Sequence, residues 1–391
     1  MRNDTSITNE HELAVAEEPT STGNSIADID KERIEKVQKA GLPISNAKLL
    51  EKKVIKPVSY IVDGMLAQGL TVVAGVNKGG KSFLALLLCL SVSRGTDFMG
   101  FPTKQGRCLY LALEDNESRL KERMLKILGD EEAPSELDFV TDTISRLGDG
   151  LYGLLEEYVK VFPETKLIVI DTFALIRGSK NKKEGDYEFD YRETHILKQL
   201  ADKYGICILV ITHTRKLRDA NDVFNNVSGS VGMLAAADVG WVLDKKSRTN
   251  QEATLCIMGR DVAPNELALE FDNERFTWIC KGDATEMKKN AYECNPVILT
   301  IRAMLKEEDS WTGTMSEMMA YGKEVLGYDI AKAPNSLSSE LKSYDAMLRE
   351  YDGIIHSNIN PNGGTKGRQH KFSRIKADAE PAGTEEELPF H

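Results

Sequence analysis

The chain has 391 residues, which at roughly 150 residues per domain allows two or three domains, or one large domain with an appendage. Hydrophobic residues make up 41% and charged residues 28%, with 12 prolines and 30 glycines, which excludes a collagenous, wholly disordered or simple repeat chain. The formal net charge is −11, but residues 1–28 hold one base against six acids and residues 377–391 hold five acids and no base, so the middle is nearly neutral.

Both ends are rich in Ser, Thr, Glu, Ala and Pro with little to bury, and are expected to be disordered acidic tails. The longest apolar run, residues 83–92, is about half of the roughly 20 residues a spanning helix needs, and the N-terminus lacks a signal-peptide pattern. A soluble, cytoplasmic protein with no membrane partner is expected. The six cysteines, Cys89, Cys108, Cys207, Cys256, Cys280 and Cys294, form no CxxC pair and are read as reduced core or near-core thiols, against a redox or metal role.

Residues 29–54 alternate charge with sparse apolar positions and predict one or two short lead-in helices. From 55 to about 285 the pattern changes. Short runs rich in Val, Ile and Leu, at 70–75, 108–113, 167–172 and 206–212, are separated by helix-length stretches. Such alternation predicts an α/β domain with a central, mostly parallel sheet covered on both faces. Closer runs at 239–244, 253–258 and 267–271 predict an antiparallel extension. A polar stretch from Gly282 to Pro296 reads as a domain boundary. Residues 296–376 then predict helices at 296–306, 314–326 and 336–351, the last capped by Asn335 or Ser336, and a β-hairpin around the turn-rich 360–367, together a small winged-helix-like domain.

The chemistry begins at Gly75, Val76, Asn77, Lys78, Gly79, Gly80, Lys81 and Ser82, which satisfy GxxxxGK[ST] directly after an apolar strand, with Phe83 opening an apolar helix. In that context backbone N–H groups and a helix N-terminus cradle phosphate, Lys81 reaches the β and γ phosphates, and the Ser82 hydroxyl binds Mg²⁺. The alternative is a chance Gly-rich turn. Asp171 closes the run LIVID about ninety residues later, where a carboxylate holds the water shell of that Mg²⁺. Glu114 closes CLYLAL and is placed to act as a general base on the attacking water; alternatively it or Asp115 caps the following helix. His213 ends another strand at the ligand edge and reads either as a γ-phosphate sensor or as an ordinary strand-end histidine. Two basic loops follow these strands, Arg177, Lys180, Lys182 and Lys183 in one and Arg215, Lys216 and Arg218 in the other. They suit nucleic-acid phosphates, or are plain solvated charge.

The series at 57–86, 108–124, 166–178, 209–216 and 229–243 resembles the RepA-like branch of RecA-type P-loop ATPases, which includes hexameric replicative DNA helicases of plasmids, phages and other mobile elements. The resemblance implies that Lys81 and Ser82 bind ATP and Mg²⁺, that Glu114 is the catalytic base, Asp171 the acid of the metal site and His213 the phosphate sensor. It implies that the two basic loops line a channel for single-stranded DNA, and that Arg260 is an arginine finger serving a neighbouring subunit's site. Thr212-His213 stands where a tandem His is common, and Lys78 where a loop Gly is common. The expected function is an ATP-driven motor on single-stranded DNA, a homo-oligomeric ring with possible replication-initiation partners. The rival expectation is a nucleotide-gated DNA-binding accessory factor that does not unwind.

Overall fold

A computed structural model describes residues 26–55, 57–142, 145–180, 183–214, 222–227, 231–245, 247, 249–327, 329–359 and 369–375. The acidic tail expected at 377–391 and residues 1–25 of the one expected at 1–28 lie outside these, while residues 26–28 are helical and so not part of a disordered tail. The chain divides into two units, residues 1–57 and 58–391.

The first unit holds α1 (Ile26–Lys39) and α2 (Ala47–Glu51). Helix α1 thus starts three residues ahead of the expected lead-in. The Asn46 side chain caps α2 by accepting from the Leu49 N–H at 2.8 Å, and α2 buries none of its residues.

In the second unit β1 (Tyr60–Val62) and β2 (Leu66–Ala67) form a small hairpin ahead of β3 (Gly69–Gly75) and α3 (Lys81–Arg94). There follow β4 (Arg107–Ala112), α4 (Glu117–Leu128), β5 (Leu137–Val140), α5 (Leu151–Val161), β6 (Thr165–Asp171), α6 (Phe173–Ile176), α7 (Asp186–Tyr204) and β7 (Cys207–His213). Next come α8 (Val231–Ala236), β8 (Val239–Asp244), β9 (Glu252–Gly259), β10 (Asn265–Asp272) and β11 (Thr277–Asp283). One nine-stranded sheet runs β11-β10-β9-β8-β3-β7-β6-β4-β5. The six strands from β8 to β5 are parallel, and β9, β10 and β11 add on antiparallel, so β8, expected in the antiparallel extension, instead pairs parallel with β3. This is an α/β architecture with a central, mostly parallel sheet, as expected.

Strands covered on both faces carry apolar residues at most positions. Val73, Leu209, Ile211 and Trp241 pack with Leu84 and Leu88 of α3 and Leu120 of α4 on one face. Val72, Ile168, Ile208 and Val210 pack with Leu155 of α5 and Leu197 and Leu200 of α7 on the other. Helix α3 is apolar on all sides because nearly all of it is buried. Cys89, Cys108, Cys207 and Cys256 are buried as expected; Cys280 is half-buried and Cys294 is exposed, so Cys294 is no core thiol.

The remaining elements are α9 (Ala284–Glu293), α10 (Pro296–Met304), β12 (Ser310–Gly313), α11 (Met315–Leu326), α12 (Pro334–Tyr351), β13 (Ile354–Ile359) and β14 (Gln369–Arg374). The stretch read as a polar boundary is therefore mostly helix. Its Tyr292 is fully buried among Val297, Ile298, Leu341 and Leu348, and its hydroxyl donates to Asp352. The third helix starts at Pro334, not at a cap on Asn335 or Ser336: Pro occupies the first turn, where its missing N–H costs nothing, and Ser336 Oγ donates back to the Ala333 carbonyl at 2.7 Å. The hairpin strands pair as β12-β14-β13, with β12 an unexpected third strand. Among the described residues no helix is long and apolar enough to cross a membrane.

Candidate nucleotide-binding site

Register assembles the site. Parallel pairing of β3 with β7 sets Gly75 beside His213, and pairing of β4 with β6 sets Ala112 beside Asp171, two residues before Glu114. Four strand ends thus converge where their C-termini gather, the edge at which open α/β sheets bind ligands.

Between β3 and α3 the chain folds back tightly. Gly80 takes a φ of 98°, and a Cβ there would lie 2.7 Å from the Trp278 ring, whose Nε1 donates to the Gly80 carbonyl at 3.0 Å. Lys78 adopts a φ of 58°, the left-handed conformation that a glycine takes without strain. Lys81, the first residue of α3, is buried, and its Nζ donates to the carbonyls of Gly75 and Val76 at 3.0 Å each and lies 3.3 Å from His213 Nδ1. Gly75 and Val76 therefore hold the lysine from behind. A cavity of about 370 Å³ is lined by Asn77, Lys78, Gly79, Gly80, Lys81, Ser82 and Phe83, and across from them by Glu114, Asp171 and His213.

Burial lowers the Lys81 ammonium to about 8, against the attraction of Asp171 and Glu114. Burial raises the Asp171 carboxyl, which hydrogen bonds from Ser82 and Tyr110 pull back down; the Tyr110 hydroxyl donates at 3.0 Å. His213 is lowered first by burial and then by the charge of Lys81, which favours a neutral imidazole. Glu114 is free of the capping role: Asn116 caps α4 by accepting from the Arg119 N–H at 2.9 Å, and Glu114 Oε1 instead accepts from the Thr172 hydroxyl at 3.1 Å. A tight glycine loop at a helix N-terminus, a buried lysine, a hydroxyl–carboxylate pair and an oriented second carboxylate suit one chemistry. That chemistry is the binding of a nucleotide's phosphates.

The donor set fits Mg²⁺. No cluster of three or more His, Cys, Asp or Glu suited to a metal occurs among the described residues, whereas the Ser82 hydroxyl and the buried Asp171 carboxylate hydrogen bond to each other. Mg²⁺ needs only one or two such oxygens, completing its shell with phosphate and water.

Three lining residues escaped sequence reading: Asp115, Arg119 and Arg123. Asp115 is ion-paired to both arginines, at 2.6 Å to Arg119 Nε, and the Arg123 guanidinium lies 4.7 Å from the centre of the Phe83 ring. Their signal is the i, i+4 arginine spacing after DNE.

The basic loops look different in three dimensions. Arg177 is ion-paired to the buried Asp190 and stacks 4.7 Å from the Phe189 ring, and Lys180 is ion-paired to Asp186. Arg177 is thus an internal anchor. Lys183 is exposed; Lys182, Arg215, Lys216 and Arg218 lie outside the described residues. Arg260 does not reach the cavity. It follows antiparallel β9, so it stands at the opposite edge of the sheet, 61% exposed, with Nη1 3.6 Å from Asp238 Oδ1, while Asp238 accepts from the N–H of Leu70 at the start of β3. The seven residues of β3 separate the two edges by about 20 Å.

Residues 40–219 match the AAA domain family AAA_25, a stretch just short of half the chain. Among solved structures, one isolated ATPase domain overlaps with 54% of this chain and 84% of its own, at 13% identity and a TM-score of 0.45. A DnaB-like replicative helicase, solved with its interactions with primase, overlaps with 64% of this chain and 71% of its own, at 12% identity and a TM-score of 0.47. No curated protein gives a significant match.

Proposed function

We propose that the chain is an ATP-hydrolysing motor on single-stranded DNA, a replicative helicase of the RepA-like kind from a mobile element, working as a homo-oligomeric ring. The observation that carries this reading is the separation of Glu114 from every structural duty but one: a carboxylate 3.1 Å from the Thr172 hydroxyl, facing Lys81 across the cavity, with its helix capped by another residue. Phosphate binding alone does not require such a group.

In this reading ATP lies along residues 77–83, and Lys81 leaves the Gly75 and Val76 carbonyls for the phosphates. Glu114, oriented by Thr172, accepts the proton of the attacking water. His213, neutral and beside Lys81, registers the γ-phosphate and passes its presence to the segment after β7. Ser82 and Asp171 hold Mg²⁺, which when bound supplies charge for the phosphates. Arg260, facing away from its own cavity, serves a neighbour. Such a head-to-tail contact closes into a ring or runs on as a filament. The unit at 296–375, three helices and a small sheet, is read as a winged-helix-like domain.

The mutual neutralisation of Arg177 by Asp190 and of Lys180 by Asp186 favours one competing reading, a nucleotide-gated DNA-binding accessory factor with a weak standing grip. Strand displacement on a tailed duplex, with Lys81→Ala as control, separates the two. ATP-dependent displacement that Lys81→Ala abolishes supports the motor. DNA-stimulated hydrolysis without displacement supports the accessory factor.

A further inference from the structure

At the edge of the sheet opposite the nucleotide cavity, several elements meet on one carboxylate. Asp238, just ahead of β8, is buried; its Oδ2 accepts from the N–H of Leu70 at 2.9 Å and from Lys198 Nζ of α7 at 2.6 Å, and its Oδ1 accepts from the same ammonium at 2.7 Å. Its backbone carbonyl accepts from the N–H of Arg260 at 2.8 Å, and a Cβ on the preceding Gly259 would lie 2.7 Å from that carbonyl oxygen. One residue further on, the Asp261 carbonyl accepts from the Tyr60 hydroxyl at 2.6 Å, and Val262 is buried. The backbone that carries Arg260 is therefore fixed on both sides.

The side chain it carries is not. Arg260 is exposed, with Nη1 3.6 Å from Asp238 Oδ1 and Nη2 3.4 Å from the Ala235 carbonyl. A guanidinium beside a carboxylate frequently closes onto it through two parallel hydrogen bonds. Here Lys198 already takes both oxygens, and it also meets Asp202 at 3.3 Å. What remains between Arg260 and Asp238 is long, open to solvent and weak. We propose that Asp238 and Lys198 are positioning residues for Arg260: Asp238 anchors its backbone, and Lys198 neutralises the carboxylate that would otherwise capture its guanidinium, so that the cation is presented outward to a neighbouring subunit's phosphates. This rests on the reading of Arg260 as serving a neighbour and assigns two residues that hold it ready.

The test follows steady-state ATP hydrolysis and nucleotide affinity of the full chain. Lys198→Met leaves Asp238 with Arg260 as its remaining ion-pair partner among the described residues. Nucleotide affinity and KM should then stay within twofold of the parent while kcat falls roughly tenfold or more, part of the roughly 10³ to 10⁵ that a trans-acting arginine supplies. Adding Asp238→Asn removes the captor and should restore kcat, and Lys198→Arg should match the parent. Mixing separates positioning from damage. Lys198→Met keeps its own Glu114 but withholds its arginine, so activity should return in mixtures with Glu114→Gln and stay low in mixtures with Arg260→Ala. Recovery with Arg260→Ala, or with neither partner, overturns the inference, as does a Lys198→Met protein whose kcat stays within twofold of the parent or is not restored by Asp238→Asn. If Lys198→Met fails to fold, Lys198→Gln, which keeps a donor without the charge, carries the same expectations. Parent-like hydrolysis by Arg260→Ala removes the trans reading and this inference together. A defective Arg260→Ala that Glu114→Gln complements, beside a Lys198→Met that behaves as the parent, overturns this inference alone.

Discussion

Lys81 must carry charge to hold phosphate, yet burial lowers its ammonium to about 8. Phosphate favours the protonated form, so binding above that pH must draw a proton from solvent, whereas below it none is needed. Nucleotide affinity, followed by a fluorescent ATP analogue, should accordingly be level up to about pH 8 and fall above it, approaching tenfold per pH unit. A flat profile to pH 9.5 would show that Lys81 is not the group that titrates. At this scale much of the site was legible, because a lysine, a hydroxyl and strand-end acids at fixed offsets need little else to define them. What local sequence left open was the choice between Glu114 as a base and as a cap. Asn116 takes the cap and so removes that duty from Glu114, an outcome of side-chain geometry that composition does not encode.

Elements hold these residues through contacts distant in sequence. Trp278 of β11 closes over Gly80, so Gly80→Ala meets both a left-handed backbone, costing about 1–2 kcal/mol, and the indole ring. Its melting temperature should drop and its nucleotide affinity fall together; unchanged values for both would mean that the β11 contact is dispensable. Arg177 secures the start of α7 to buried Asp190, so Arg177→Ala should cost about 1–3 kcal/mol in chemical denaturation, the loss of a charged partner to a buried carboxylate. A merely solvated arginine would cost almost nothing. Strands β3, β4, β6 and β7 were readable because they are largely buried and mostly apolar. By contrast β5 is four residues long, β11 mixes Trp278 and Cys280 with Lys281 and Asp283, and α9 looks polar because tertiary packing buries little of it besides Tyr292 and Ala284. Such segments take their structure from neighbours.

At the scale of the molecule, the proposed function makes assembly part of the chemistry, because Arg260 stands far from the cavity of its own subunit. Arg260→Ala should bind ATP and hydrolyse it poorly, since an arginine supplied in trans is worth roughly 10³ to 10⁵ in rate. Mixing Arg260→Ala with Glu114→Gln should restore part of the activity, because some interfaces then pair an intact Glu114 with an intact Arg260. No recovery in mixtures shown by mass to co-assemble would remove Arg260 from the neighbour's site. The most direct measurement for the whole account is steady-state ATP hydrolysis by the parent and by Glu114→Gln, each with and without saturating single-stranded oligonucleotide. The account predicts hydrolysis stimulated by the oligonucleotide in the parent, and in Glu114→Gln full nucleotide binding with turnover lowered roughly 10²- to 10⁴-fold. Equal turnover in the two proteins, or a parent rate indifferent to the oligonucleotide, would contradict it.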